Sequence, residues 1–140
     1  MSRYVLDSYA LLAAYRREPS GPRVRELITD RDHSHWMTYI NVGEVYYRIA
    51  KESGLTAADG ALVWLEGLPF HFSAANRDLT MEAAKLKAQY ALSYADCFAA
   101  ALAQRVDAAV VTGDQEFAQL ERAGIVEIEW LPTKPKNTFR

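Results

Sequence analysis

A single cysteine, Cys97, stands in the whole chain, so an intramolecular disulfide framework is excluded and no cysteine pair has zinc-ligand spacing. No basic leader precedes an apolar segment, and no run reaches the roughly 18 apolar residues that a membrane-spanning helix needs. The expectation is a soluble cytoplasmic protein without membrane contact. Charge of one sign is also not in excess: 16 Lys and Arg against 18 Asp and Glu give a net −2. A bulk positive field therefore does not announce a nucleic-acid partner. Divalent cations can still bring phosphate to an acidic site. Internal repeats, low-complexity tracts and linkers are absent too.

What is present fits one folded domain. Half of the 140 residues are hydrophobic, with 3 Trp, 5 Phe and 8 Tyr, enough for one sizeable core and too little for two. Residues 1–131 read as that domain and 132–140, "PTKPKNTFR", as a basic tail whose Lys134, Lys136 and Arg140 are available to a phosphate backbone.

Short apolar runs alternate with helical periods. Tyr4 to Leu6 reads as a strand, capped into a helix by Asp7 or Ser8, and Val24, Leu27 and Ile28 share the face of a second helix. A strand over His35 to Thr38 leads into a helix carrying Val42, Val45, Tyr46 and Ile49, which Gly54 stops; Thr56 is expected to cap the next helix. "FHFSA" predicts a third strand, and a helix follows from Asn76 or Thr80. An alanine-rich helix, "YADCFAAALAQR", precedes a strand at Ala109 to Thr112, a short helix and a last strand in "IVEIEWL". The strand runs are continuously apolar, which predicts a parallel sheet covered on both faces.

Ligands of such sheets bind beyond the carboxyl ends of the strands. Asp7 and Asp114 each follow an apolar strand and are delivered to that edge. Glu44 sits in the first turns of a helix among core-facing Val42, Val45 and Ile49, where an acid is costly unless paired. Asp96 occupies the first turn of a charge-poor helix, where the helix dipole alone also favours it. Four converging carboxylates repel each other unless a cation is present. Hard oxygen donors without a His or Cys cluster suit Mg²⁺ or Mn²⁺, and such a site suits phosphodiester hydrolysis by activated water with no covalent protein nucleophile.

The ordered segments "YVLDSYALLAAY", "NVGEVYY", "LSYADCFAAALA" and "VVTGDQEF" resemble the PIN-domain family, more closely the VapC-like toxin ribonucleases of type II toxin–antitoxin pairs. The resemblance implies a three-layer α/β/α fold with a mostly parallel five-stranded sheet, and metal-dependent endonucleolytic cleavage of RNA leaving 5′-phosphate and 3′-hydroxyl ends. It matches Asp7, Glu44, Asp96 and Asp114 to the family's metal-site acids, and Thr112 to a polar residue shaping the pocket. Glu116 falls where many relatives carry a further Asp, its longer side chain reaching metal directly or through water. Asn41 orients a water or phosphate, or serves as a helix cap. Ser8 hydrogen-bonds Asp7 or a water, whereas Tyr9 departs from the small polar residue usual there and narrows the pocket. Implied partners are RNA, a second copy in a homodimer, and a small VapB-like antitoxin that covers the active site and alone contacts operator DNA.

Blander roles compete for several residues. Trp36, Tyr39, Tyr46, Tyr47 and Trp64 are expected mainly in packing, and Tyr46 and Tyr47 cannot both face inward. His33, His35 and His71 are not needed for metal-activated water, and Cys97 is expected in the core. The arginines at 16, 17, 23, 25 and 31 form a solvated face unless some flank the acids. Two other functions are open: an inactive PIN-like or nucleic-acid binding module, and a metal-dependent phosphatase. The retained acids speak against the first. A phosphatase with an aspartyl nucleophile favours a second acid where Tyr9 stands.

Overall fold

The computed structural model describes residues 2–132; the basic positions Lys134, Lys136 and Arg140 lie outside the described residues. The chain runs β1 (Arg3–Leu6), α1 (Ser8–Tyr15), α2 (Gly21–Thr29), β2 (Ser34–Thr38), α3 (Tyr39–Ser53), α4 (Leu55–Glu66), β3 (His71–Ser73), α5 (Arg77–Gln89), α6 (Tyr94–Val106) and β4 (Ala109–Thr112). A 3₁₀ turn at Gln115–Phe117, α7 (Ala118–Arg122) and β5 (Ile128–Trp130) complete it.

The five strands lie in the order β3-β2-β1-β4-β5, every neighbouring pair parallel. From β1 the chain builds outward through β2 and β3, then returns to β1's other side for β4 and β5. The reversal falls between β1 and β4, where Leu6 is in register with Val111. One step further along, Asp7 leaves the end of β1 beside Thr112, the last residue of β4.

Alternation along β1 sorts its side chains between two cores. Tyr4 and Leu6 join Leu11, Val24, Met37, Val45, Ile49 and Leu65 beneath α1 to α4. Val5 faces the other way, joining Leu79, Leu86, Phe98, Leu102, Val110, Phe117 and Leu120 beneath α5 to α7. Each such side chain, fully buried, contributes about 1.5–3 kcal/mol by area transfer. Covering both faces is what makes the strand sequences continuously apolar, and it gives the three-layer α/β/α architecture. In α6 the run Ala99 to Ala101 and Ala103 is buried to 1% exposure or less, so small side chains let this helix approach the sheet closely.

Local chemistry sets the boundaries. Thr38, Asn76 and Ser93 each cap a helix by accepting an amide from the residue three positions on. One expectation is corrected: Thr56 does not cap α4. Gly54, at φ 92°, ends α3 and starts α4 by itself, a reversal in one residue that the left-handed region reserves largely for glycine. Thr56 consequently lies inside the first turn. The last strand is also shorter than "IVEIEWL" suggests, because only Ile128 to Trp130 pair with β4. Tyr47 is exposed, while Tyr46 is half-buried and donates to Asp59 at 2.7 Å. Among the described residues no helix is long and apolar enough to cross a membrane.

Candidate active site

Asp7 enters the site as the cap of α1. Its carboxylate accepts the Ala10 amide at 2.9 Å and a hydrogen bond from the Thr112 hydroxyl. With 1% exposure, burial pushes its pKa up to about 8; the bonds to Thr112 and Ala10 oppose this, and the charges of Asp96 and Asp114 add to it. Thr112 Oγ1 in turn accepts the Asp114 amide at 2.9 Å. One hydroxyl therefore fixes the acids at the ends of β1 and β4 relative to each other.

Asp96 stands one turn into α6, its amide donating to the Ser93 cap at 3.2 Å. Only 6% exposed, it has a pKa raised to about 7, first by burial and then by the charge of Asp114, with Glu44 and Glu116 adding smaller contributions. Asp114 follows Gly113 out of β4 and accepts the Glu116 amide at 3.0 Å, so capping the 3₁₀ turn folds Glu116 back toward the acids. Carboxylate oxygens of Asp96, Asp114 and Glu116 all lie within 4.8 Å of one another. This is the tightest acidic group among the described residues, and Glu116 takes a more central place in it than its sequence position suggested.

Glu44 approaches from α3 with a side chain 12% exposed. It accepts the Ser8 hydroxyl at 2.5 Å and lies 3.4 Å from Arg48 on the same helix. Ser8 thus bonds Glu44 and not Asp7. Asn41 turns inward: its Oδ1 accepts the Thr38 hydroxyl at 2.5 Å and its Nδ2 donates to the Ala95 carbonyl at 3.2 Å. Both ends of the amide are therefore spent, Oδ1 on the Thr38 cap of its own helix and Nδ2 on the first turn of α6, beside Asp96.

These side chains line a cleft of about 340 Å³ bounded by Asp7, Ser8, Tyr9, Glu44, Asp96, Asp114 and Glu116, with Arg16, Glu18 and Arg48 at its margin. A larger hollow of about 1160 Å³ lies at the opposite, amino-terminal edge of the sheet near Arg3, Asp107 and Glu127. It holds none of the converging acids, and ligands of parallel sheets bind at the carboxyl edge. Chemistry, not volume, marks the site.

Tyr9 does narrow the cleft. Its ring lies over Gly113, where an added Cβ would stand 2.5 Å from the Tyr9 Cε1. Sequence reasoning left Arg16 among a general arginine face and passed over Glu18 and Arg48. For Arg48 a signal existed, since it lies four residues beyond Glu44 on one helix. The histidines do not line the cleft: His35 is buried between Tyr4 and Phe70, bonded to the Leu27 carbonyl, and burial lowers its pKa. Cys97 is fully buried, its thiol pushed up to about 11 by desolvation, which keeps it unreactive.

The donor set fits a divalent cation. Three carboxylate groups converge without nitrogen or sulfur competitors, the preference of Mg²⁺ and Mn²⁺. Burial is the main reason that the pKa values of Asp7 and Asp96 are raised, and the neighbouring carboxylates add to it; a bound cation would offset both effects.

Comparison with known proteins agrees with this architecture. The VapBC2 structure from Rickettsia felis bound to a promoter DNA fragment superposes with TM-score 0.73 at 16% identity, covering 93% of this chain and 99% of that one. Mycobacterium tuberculosis VapC20, a sarcin-ricin loop cleaving toxin, gives TM-score 0.71 at 17% identity over 91% and 98%. DNA-bound VapBC from Salmonella typhimurium gives 0.64 at 18% over 92% and 98%. At these identities the likeness is one of fold. A sequence comparison with curated proteins gives no match. Residues 4–123 match the PIN domain, a span from β1 through α7 that contains every acid of the cleft, and the chain therefore belongs to the PIN-domain family.

Proposed function

We propose that the protein is a Mg²⁺- or Mn²⁺-dependent endoribonuclease and the toxin of a type II toxin–antitoxin pair. The observation that carries this reading is the convergence of Asp7, Glu44, Asp96, Asp114 and Glu116 on one cleft at the reversal point of a PIN-domain sheet. When bound, the metal supplies an activated water and stabilises charge on the phosphoryl oxygens, leaving 5′-phosphate and 3′-hydroxyl ends.

The chain's own part is positional. Asp96, Asp114 and Glu116 hold the cation, and Asp7, fixed by the Ala10 amide and Thr112, supplies a fourth carboxylate once ionised. Glu44 faces the same cleft and, held by Ser8, orients the attacking water. Tyr9 closes the β4 side of the cleft and limits access to a single strand. The fold likeness to toxin–antitoxin complexes supports a small antitoxin covering this cleft, and operator DNA is reached through that partner. Homodimer assembly and a cytoplasmic location belong to the same reading.

The test incubates purified protein, and an Asp96→Asn control, with total cellular RNA and Mg²⁺ or Mn²⁺, then maps new 5′-phosphate ends. Discrete, metal-dependent ends missing from the control are expected. A folded protein that binds Mn²⁺ yet produces no new ends would overturn ribonuclease activity in favour of another phosphoryl substrate or a binding role.

A further inference from the structure

Two cations stand at the margin of an otherwise acidic cleft, on the side formed by α1 and α3. Arg16 terminates α1, and Arg48 projects from α3 one turn beyond Glu44. A metal site accounts for the acids but not for these arginines, which are on the wrong side of the charge balance to hold a cation.

Their hydrogen bonding is incomplete. Arg16 pairs through one Nη with Glu52 of α3, while Glu18 is 3.8 Å away. Its Nε, although buried, has no hydrogen-bond partner, the one such side-chain atom among the described residues. A guanidinium offers five N–H donors in a fixed plane, so Arg16 retains donors that an incoming oxyanion can take. Arg48 has a side chain 51% exposed and one carboxylate contact, at 3.4 Å, to a Glu44 that already accepts the Ser8 hydroxyl. Neither guanidinium donates to a backbone carbonyl among the described residues. Guanidinium groups with unused donors suit phosphate oxygens that arrive with substrate.

We infer that Arg16 and Arg48 are substrate-positioning residues that grip RNA phosphates flanking the scissile bond, with Glu52 holding Arg16 in place until substrate competes for it. The inference rests on the ribonuclease reading and adds where the strand runs: across the α1–α3 margin, its backbone on the arginines and its scissile phosphate over the acids. Glu52 and Glu44 act as stand-ins for phosphate in the free protein.

A plain structural brace and a phosphate grip predict opposite signs for the two sides of the Arg16–Glu52 pair. If the pair only braces α1 against α3, Arg16→Gln and Glu52→Gln both weaken the site. If Arg16 is a phosphate ligand restrained by Glu52, the first weakens RNA binding and the second strengthens it. The measurement is fluorescence anisotropy of a labelled mixed-sequence single-stranded RNA, in an Asp96→Asn background with Mg²⁺ so that the RNA stays intact. Arg16→Gln and Arg48→Gln should each raise Kd about tenfold, the scale of one charge-assisted hydrogen bond. Each should also reduce the slope of log K against log salt by about 0.7, the release expected for one single-strand phosphate contact. Arg16→Lys should restore part of the affinity, and Glu52→Gln should lower Kd.

Unchanged Kd and salt slope in both arginine variants, or weaker binding in Glu52→Gln, would overturn the inference while leaving the ribonuclease reading intact. RNA binding missing from the Asp96→Asn protein itself, together with no cleavage by the parent chain, would remove both. Circular dichroism and a thermal melt of each variant separate loss of the grip from loss of the fold.

Discussion

Replacing Asp7 with Asn in metal-free protein should stabilise it, and more so as pH rises. Asp7 is buried, and its pKa in the folded chain, about 8, lies above the ordinary aspartate value of 3.8. A raised folded pKa means that the folded chain binds the extra proton. Stability is therefore unaffected below about pH 4, is lost progressively as pH rises toward 8, and is level above that. A shift of about four pH units at about 1.4 kcal/mol each sets a ceiling near 6 kcal/mol. Relaxation and water entry reduce this to about 2–3 kcal/mol for a site with an open cleft. Asn keeps the cap on α1, because Asn and Asp cap helices about equally well, and carries no charge. Thermal unfolding in EDTA should thus show the Asn protein ahead by roughly 5–10 °C at pH 8, with much of that advantage gone by pH 5. Excess Mn²⁺ favours the ionised carboxylate and should reverse the order. An Asn advantage equal at pH 5 and pH 8, or none at pH 8, would refute the assignment of Asp7 as a buried acid kept protonated without metal.

The same protonation predicts that Mn²⁺ binding near pH 7 displaces roughly one proton from Asp7 and Asp96 together, read by titration calorimetry in buffers of different ionisation enthalpy; zero displacement would contradict it. Glu116→Gln should weaken Mn²⁺ binding by about tenfold or more without lowering the melting temperature, because Glu116 is exposed and contributes a carboxylate to the triad, not packing. Gly113→Ala should cost about 1 kcal/mol by forcing the Tyr9 ring aside, and Tyr9→Ser should suppress that cost in a double-mutant cycle. Phe117→Ala, removing a fully buried ring behind the 3₁₀ turn, should cost about 3–5 kcal/mol in urea unfolding and loosen Asp114 and Glu116 with it.

Much of the site was legible in the sequence because strand ends do the delivering. Asp7 after "YVL" and Asp114 after "VVTG" reach the carboxyl edge whatever the rest of the chain does. Asp96 is fixed by its place in the first turn of α6, which Ser93 caps, and Glu44 by its distance from the start of α3. These positions follow from periodicity and capping, which are local. The triad's third member was harder to place, since Glu116 is brought inward by a three-residue 3₁₀ turn that Asp114 itself caps, and a short turn has no periodic signature. Thr56 misled because a good capping residue two positions late loses to a glycine already at positive φ.

Pairings between distant segments were not legible. Ser8 and Glu44 are 36 positions apart, as are Arg16 and Glu52, and both pairs depend on how α1 crosses α3 above the sheet. No spacing rule reports that crossing. It nevertheless divides the cleft into two chemically distinct halves. Where α6 and the end of β4 meet, the backbone itself holds the acids, through the Ser93 cap on Asp96, the Asp114 amide on Thr112 and the Glu116 amide on Asp114. Where α1 meets α3, side chains hold one another, and the Arg16–Glu52 pair has a guanidinium that an incoming anion can compete for. A cation needs fixed donors at set distances, while a polyanion that must enter and leave needs exchangeable ones. On the proposed reading, the rigid half would hold the metal and the adaptable half the substrate strand.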